Sequence, residues 1–250
     1  MMGMLEGKGV LVTAAAGTGI GFSVAQRAIE EGARVVISDA HPGRLERAAT
    51  ALGEQFGSQP PAVIGDVADQ EQIEAMWAFA AAELGEIDVL VNNAGLGLQK
   101  PIVDTADEEW ARVLDISLTG TFRCVREAMR HMIAAGSGVI VNVSSVLGWR
   151  AQAEQAAYSA AKAGVMALTR AAAMEGAEHG IRVNCVAPSL AMHPHLERVA
   201  SPELLDELKT KEAFGRAADP VEVANVILFL ASDLSSYMTG ECISVSSQHS

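Results

Sequence analysis

Short, almost wholly apolar runs recur along the chain, separated by longer segments of mixed polarity. The runs are Val10-Leu-Val12, Val35-Val-Ile37, Val63-Ile64, Val89-Leu-Val91, Val139-Ile-Val141, Val183-Asn-Cys-Val186 and Ile243-Ser-Val245. They are too short for helices and too uniformly apolar for strands with one wet face. Seven strands buried on both faces of a sheet are therefore predicted. The segments between them carry a helical period, clearest in the stripe Ile73, Met76, Ala80 and Leu84. Strands that alternate with helices build a parallel, doubly wound α/β sheet with right-handed crossovers, here one domain over residues 1–250. One stretch breaks the rhythm. Ser189 to Gly215 follows the sixth strand with Pro, His, Met, Lys and Glu intermixed, which predicts a substrate lid over the crevice where open α/β sheets bind ligands.

Composition narrows the partners. A net charge of -13 over 250 residues disfavours nucleic acid and anionic membrane, and obliges any polyanionic ligand to find a local basic patch. No apolar run reaches the roughly 18 to 20 residues of a membrane span. No basic-then-apolar leader opens the chain, so a cytoplasmic protein is expected. Cys124, Cys185 and Cys242 are isolated and read as small buried apolar residues. His193-Pro-His195 lacks a third ligand in register, and no metal site is expected.

The chemistry concentrates in Ser145 to Lys162. Tyr158 and Lys162 are four residues apart at the start of an Ala-rich segment, so on a helix they share a face. Ser145 closes the run Val139-Ile-Val-Asn-Val143. A phenol of reference pKa about 10 is protonated at neutral pH, and a nearby cation favours its phenolate. Such a Tyr can pass a proton to or from an alcohol oxygen while the Ser donates a hydrogen bond to it. Alone, the Tyr–Lys pair is an ordinary surface pair. Two further motifs change that reading. Thr13-Ala-Ala-Ala-Gly17-Thr18-Gly19-Ile20-Gly21 follows the first strand and opens a helix, where glycines let backbone N–H groups approach a pyrophosphate. Asn92-Asn93-Ala94-Gly95 follows the fourth strand. Asp39, eighteen residues after Gly21, can accept hydrogen bonds from a ribose and would repel a 2′-phosphate, so NAD is the expected cofactor, with Arg44 the nearest counter-argument.

Over Gly9 to Val245 these residues resemble the short-chain dehydrogenase/reductase family, in which the Ser lies thirteen residues before the Tyr as Ser145 does here. The resemblance implies a single-domain Rossmann-type fold and Ser145, Tyr158 and Lys162 as catalytic residues. It implies that Asp66 and Val67 hold the adenine, that Asn93, Ala94 and Gly95 line the cofactor, that Lys162 also binds the nicotinamide ribose, and that Pro188 shields the nicotinamide amide. It also implies a homotetramer. Three departures stand out. Ala14 replaces the first loop Gly in a loop one residue longer, predicting a slightly wider phosphate turn. Ser117 occupies the position of an Asn that holds a relay water, and is read as a re-plumbed relay. Pro188-Ser189…His193 and the C-terminal Ser244-Val-Ser-Ser-Gln-His249 also differ from the usual pattern.

Together with Val146 to Gln152, these departures look like a subgroup of steroid-degrading reductases that act on a hydroxy-methyl-oxo-hexahydroindene carboxyl-CoA intermediate. That implies a CoA thioester substrate with a ring secondary alcohol. Leu96, Leu98, Leu147, Trp149 and Met192 are candidates for an apolar wall, each equally a core filler. Arg150, Arg198, Lys209 and Lys211 are candidates for CoA phosphates. The alternatives are a 3-oxoacyl-thioester reductase, which Asp39 opposes, and a catalytically silent dinucleotide sensor, which would need none of the three catalytic groups.

Overall fold

The computed structural model describes residues 3–17, 19–192 and 209–247. Seven parallel strands form one sheet: β1 (Gly9–Val12), β2 (Arg34–Asp39), β3 (Ala62–Ile64), β4 (Val89–Asn92), β5 (Gly138–Val143), β6 (Ile181–Pro188) and β7 (Cys242–Val245). Their order is β3-β2-β1-β4-β5-β6-β7. All seven expected strands are present and the sheet is doubly wound. Winding reverses between β1 and β4, which opens a crevice at the carboxyl ends of these two strands.

The helices that cover the sheet are α1 (Ile20–Glu30), α2 (Pro42–Phe56), α3 (Gln70–Leu84), α4 (Asp107–Leu114), α5 (Gly120–Ala135), α6 (Ala156–Gly176) and α7 (Pro220–Ala231). Strand side chains alternate between faces, as the pleat requires. Val10 and Val12 join the core under α1, α2 and α7, while Leu11 joins the opposite core under α3, α5 and α6. The predicted stripe Ile73, Met76, Ala80 and Leu84 is buried in that second core together with Trp77. Asp69 caps α3 through the N–H groups of Glu71 and Gln72, and Asp219 with Glu222 forms a reciprocal cap on α7 just before Pro220. The edges depart from expectation. Ile64 of β3 is 50% exposed and β7 is only half-buried, because an edge strand packs against one neighbour instead of two.

Polar groups inside the sheet are paired in a chain. Asn92 Nδ2 donates to Asn142 Oδ1 at 2.9 Å, Asn142 Nδ2 to Thr169 Oγ1 at 2.9 Å, and Thr169 Oγ1 to the Val165 carbonyl at 2.8 Å. All three side chains are buried. The chain binds β4, β5 and α6 directly beneath the residues that carry the chemistry. Asn142→Ala strands the Asn92 amide at a cost of about 1–3 kcal/mol, while the Thr169 hydroxyl loses a donor but keeps its bond to Val165. We expect the urea midpoint to fall with an unchanged slope, measured by equilibrium unfolding.

Candidate active site

The loop after β1 is built from the main chain outward. Thr13 is buried, and its hydroxyl accepts the N–H groups of Asn93 (3.0 Å) and Ala94 (3.4 Å) while donating to the Val91 carbonyl (3.4 Å). It supports the loop from below, joining the ends of β1 and β4. Ala14 takes φ +50°, the left-handed region that glycine occupies at little cost. The expected wider turn is thus a strained one, held by Asn93 Nδ2 on the Ala14 carbonyl (2.9 Å) and by the Ala15 N–H on Ser38 (2.9 Å). Gly17, at φ +107°, can hardly be anything else. A Cβ on Gly21 would lie 2.5 Å from both the Ala14 carbonyl oxygen and Asn93 Nδ2, so glycine is what lets α1 approach the loop. Gly19 caps α1 in extended conformation, Ile20 is its first residue, and neither a capping side chain nor an acidic residue occupies the first turn. That leaves a helix N-terminus suited to a phosphate. Thr18 lies outside the described residues.

Asp39 ends β2 and is buried. Its Oδ1 accepts from the His41 N–H at 2.8 Å and from Arg44 Nη2 at 3.2 Å, so both contacts fall on one oxygen. Asp66 Oδ1 accepts the Ala68 N–H (2.9 Å), shaping the turn after β3. Val67 packs where a Cβ on Gly120 would come within 2.7 Å of it. These residues fit an adenosine: a buried carboxylate, an apolar side chain and an uncapped helix end.

Across the crevice, β5 runs into Ser145 and α6 carries Tyr158 and Lys162 one turn apart. Ser145 Oγ accepts the Leu147 N–H (3.2 Å) and shares a hydrogen bond with the Tyr158 phenol. Ser144, one residue out of register, instead donates to the Lys162 carbonyl (2.8 Å). Lys162 Nζ donates to the Val143 carbonyl at 2.8 Å and stands 5.6 Å from the centroid of the Tyr158 ring. Gly148 makes this closeness possible, since a Cβ there would meet Met166 Cε at 2.7 Å and the α6 backbone at 3.1 Å. Sequence reading missed Gly148; its only signal is a glycine in the turn after Ser145.

Electrostatics correct one expectation. Burial pushes the Lys162 ammonium down to about 8. Burial also pushes the Tyr158 phenol up, offset by the Ser145 hydrogen bond. The anticipated lowering of the phenol by the Lys charge is absent: desolvation raises the phenol, and it is the Ser145 hydrogen bond that opposes the rise.

Ser117 lies in a π-helical turn, Asp115–Thr119, and is completely buried. Its hydroxyl accepts the Leu96 N–H (2.8 Å) and donates to the Leu96 carbonyl (3.1 Å). It thus pins the loop after Gly95 with its one proton. A Cβ on Gly95 would sit 3.2 Å from Lys162 Nζ and 3.7 Å from Ser117 Oγ, so these three residues meet at one point. Leu96 and Leu98 pack with Val113, Ala157, Ala161 and Tyr158, whereas Trp149 is 51% exposed. Pro188 ends β6 opposite Val245. His193, His195 and Arg198 lie outside the described residues, as does most of the expected lid. The arrangement sets a hydroxyl and a phenol together at the end of β5 and the start of α6, which suits proton exchange with an alcohol oxygen.

A family model described as enoyl-(acyl carrier protein) reductase matches residues 14–247. The chain is 57% identical, over 99% of its length and 95% of the relative's, to the (5R,7aS)-5-hydroxy-7a-methyl-1-oxo-2,3,5,6,7,7a-hexahydro-1H-indene-carboxyl-CoA reductase of Mycobacterium tuberculosis. It is 44% identical to the cis-4-hydroxycyclohexanecarboxylate dehydrogenase of Sinomonas cyclohexanicum, over 98% of this chain and 97% of that one. Among solved structures it is similar to an NAD+-bound xylitol dehydrogenase, with a TM-score of 0.91 at 32% identity, covering 98% of this chain and 99% of that one.

The depressed Lys162 has a stability signature. Its folded pKa of about 8 lies below the ordinary lysine value of 10.5. Between these values the unfolded state holds more protons, so stability attributable to this group rises with pH. The penalty for the buried charge is complete below pH 8 and relieved by pH 10.5. Lys162→Met should therefore melt higher than wild type at pH 7, by about 4 °C or more, with the gap narrowing toward pH 10 in paired thermal scans.

Proposed function

Because the chain belongs to the short-chain dehydrogenase/reductase family, we propose that it is an NAD-dependent enzyme interconverting a ring secondary alcohol and its ketone on a hydroxy-methyl-oxo-hexahydroindene carboxyl-CoA. The observation that carries the chemistry is the convergence of Ser145, Tyr158 and the buried Lys162 beside the uncapped start of α1. Two relatives named for ring hydroxyls that bear a carboxyl or carboxyl-CoA group support the substrate class.

In this reading Ser145 holds the substrate oxygen by a hydrogen bond and Tyr158 takes its proton in the oxidative direction. Lys162 stands one helical turn from Tyr158, and its charge stabilises the phenolate, the form that accepts the proton in oxidation and the form left behind when reduction gives the proton up. A bound nicotinamide dinucleotide supplies the hydride acceptor. Gly17, Gly19, Ile20 and Gly21, with Thr18, present the phosphate-binding turn. Thr13 and Asn93 support it, and Asp66, Val67, Ala94, Gly95 and Pro188 line the rest of the groove. Ser117 holds Leu96 and with it the floor under Lys162.

Coenzyme choice turns on Asp39. Its buried carboxylate already engages Arg44 through Oδ1, and its other oxygen suits a ribose hydroxyl. A 2′-phosphate would have to break that ion pair before Arg44 could serve it, which favours NAD. The exposed position of Arg44 is the one feature that supports the runner-up, a 3-oxoacyl-thioester reductase using NADPH. For the thioester, Arg150, Lys209, Lys211 and Arg198 are assigned to CoA phosphates. A cytoplasmic homotetramer completes the proposal, with the Ala-rich α6 as a packing surface. No described helix is long and apolar enough to cross a membrane.

Steady-state kinetics test the assignment. Tyr158→Phe keeps the ring and loses the proton carrier, so turnover should fall by about 10² to 10⁴ while NAD still binds. Wild type should prefer NAD to NADP in kcat/KM, and Asp39→Ala should shrink that preference. The ring alcohol should be oxidised far better as its CoA thioester than as the free acid, and Lys209→Ala should raise KM for the thioester more than for a small alcohol. Near-normal turnover by Tyr158→Phe rules out the mechanism. Better turnover of the free acid rules out the thioester.

A further inference from the structure

Glu212 stands out in the part of the lid region that follows residue 208. In a chain of net charge -13 most carboxylates are solvated, yet Glu212 is only 6% exposed. Its carboxylate is satisfied by neutral donors from two distant segments. Ser247 Oγ donates to Oε2 at 2.6 Å, and the Leu190 N–H reaches Oε1 at 3.5 Å. The Ser189 hydroxyl and the Ser247 N–H are hydrogen-bonded to the same group. These bonds hold the carboxyl below its ordinary range although burial pulls the other way, so the group is charged at neutral pH.

The two segments are the continuations of adjacent strands. Ser189 and Leu190 follow Pro188 at the end of β6, and Ser247 lies two residues beyond the end of β7. The Ser189 N–H bonds the Val245 carbonyl at 3.1 Å. On its other side this strap is tied to the chain beyond Glu212: the Ala218 N–H donates to the Leu190 carbonyl (2.8 Å) and the Met192 N–H to the Ala218 carbonyl (3.0 Å). Ala191 and Ala218 form a parallel bridge. Residues 189–192 and 218 thus make a neck from which the lid departs, and Glu212 joins that neck to the C-terminal segment. Of the serines at the C-terminus, Ser247 is explained by this carboxylate, to which it donates through both Oγ and N–H.

We propose that Glu212 is a positioning residue for substrate: its carboxylate fixes the strap Ser189 to Met192 against Ser247, so that one wall of the crevice is formed before a bulky ring substrate arrives. Met192 is half-buried at the end of the strap, and in this proposal it is the side chain that meets the ring. Preforming the wall removes an ordering cost from substrate binding and leaves the proton-transfer groups untouched. The proposal rests on the ring-alcohol reading for its substrate but not for the lock itself.

The test uses the full chain with Glu212→Gln and Ser247→Ala. The Gln amide keeps the size but turns an N–H₂ toward groups that need an acceptor. Hydrogen–deuterium exchange reads the lock without any substrate. Peptides covering residues 186–192 and 243–250 should exchange about tenfold faster in Glu212→Gln, the scale expected for a lost charged hydrogen bond. Peptides of β1 and α1 should be unchanged. Ser247→Ala should move the same peptides in the same direction by less, and it decides the matter if Glu212→Gln does not fold. In kinetics with whichever ring alcohol wild type oxidises, thioester or free acid, KM should rise about tenfold while kcat and the KM for NAD stay within about twofold. Unchanged exchange in the strap overturns the lock. A parallel loss in kcat and both KM values overturns the positioning role and leaves a purely structural one. If wild type oxidises no ring alcohol at all, the proposed substrate fails, and the exchange result still decides whether Glu212 holds the strap.

Discussion

The hydrogen bond from the Lys162 ammonium to the Val143 carbonyl is the interaction around which the site is arranged. A lysine 3% exposed loses most of its hydration, and one carbonyl at 2.8 Å repays only part of it. The rest of the fold must hold the charge in place against that deficit. The Ser144 hydroxyl fastens the Lys162 carbonyl to the end of β5. Gly148 lets the Ser145 turn lie flat on α6, and Gly95 leaves the space in front of Nζ. Below them, the Asn92–Asn142–Thr169 chain keeps β4, β5 and α6 in register. Replacing any of these small or polar residues by a larger apolar one would move the ammonium relative to the phenol before it altered the sheet.

A second concession lies at the other side of the crevice. Ala14 in the left-handed region costs roughly 1–2 kcal/mol that glycine would avoid. The compensation is visible: Asn93 bonds its carbonyl, and Gly21 gives α1 room to close on the same oxygen. Thr13 and Asn93 therefore act on the cofactor groove through the main chain.

Much of this was legible in the sequence because two-sided burial leaves a plain mark. Val10-Leu-Val12 and Val89-Leu-Val91 are apolar at every position since each alternate side chain enters a different core. Val63-Ile64 and Ile243-Ser-Val245 carry the same mark but sit at the sheet edges, a distinction that depends on which strands pair and not on local composition. The Tyr158–Lys162 spacing was readable because one helical turn is a local fact. The balance between their attraction and their desolvation was not, since it depends on Leu96, Leu98 and Val113 packing against α6 from distant segments. Ser117 was read as a water anchor from its position, but its hydroxyl is taken up by the Leu96 main chain through a contact spanning 21 residues. Glu212 looked like one more charge among lid residues; only the meeting of β6, β7 and the lid's neck shows it to be buried.

The distribution of charge follows from these constraints. A net charge of -13 repels a polyanion at long range, so affinity for one must come from contacts that are short and only partly screened. The fold already commits several cations to its own carboxylates: Arg44 to Asp39, Lys100 to Glu109, Arg123 to Asp115 and Arg216 to Glu222. Of these, Arg44 stands at the end of β2, where a coenzyme's adenosine would lie, and its partner is buried whereas it is not. The pair thus buries its anionic member and leaves its cationic member exposed to water. The same two residues in the opposite arrangement would invite a 2′-phosphate. In this chain the member of the ion pair that the end of β2 buries is the carboxylate.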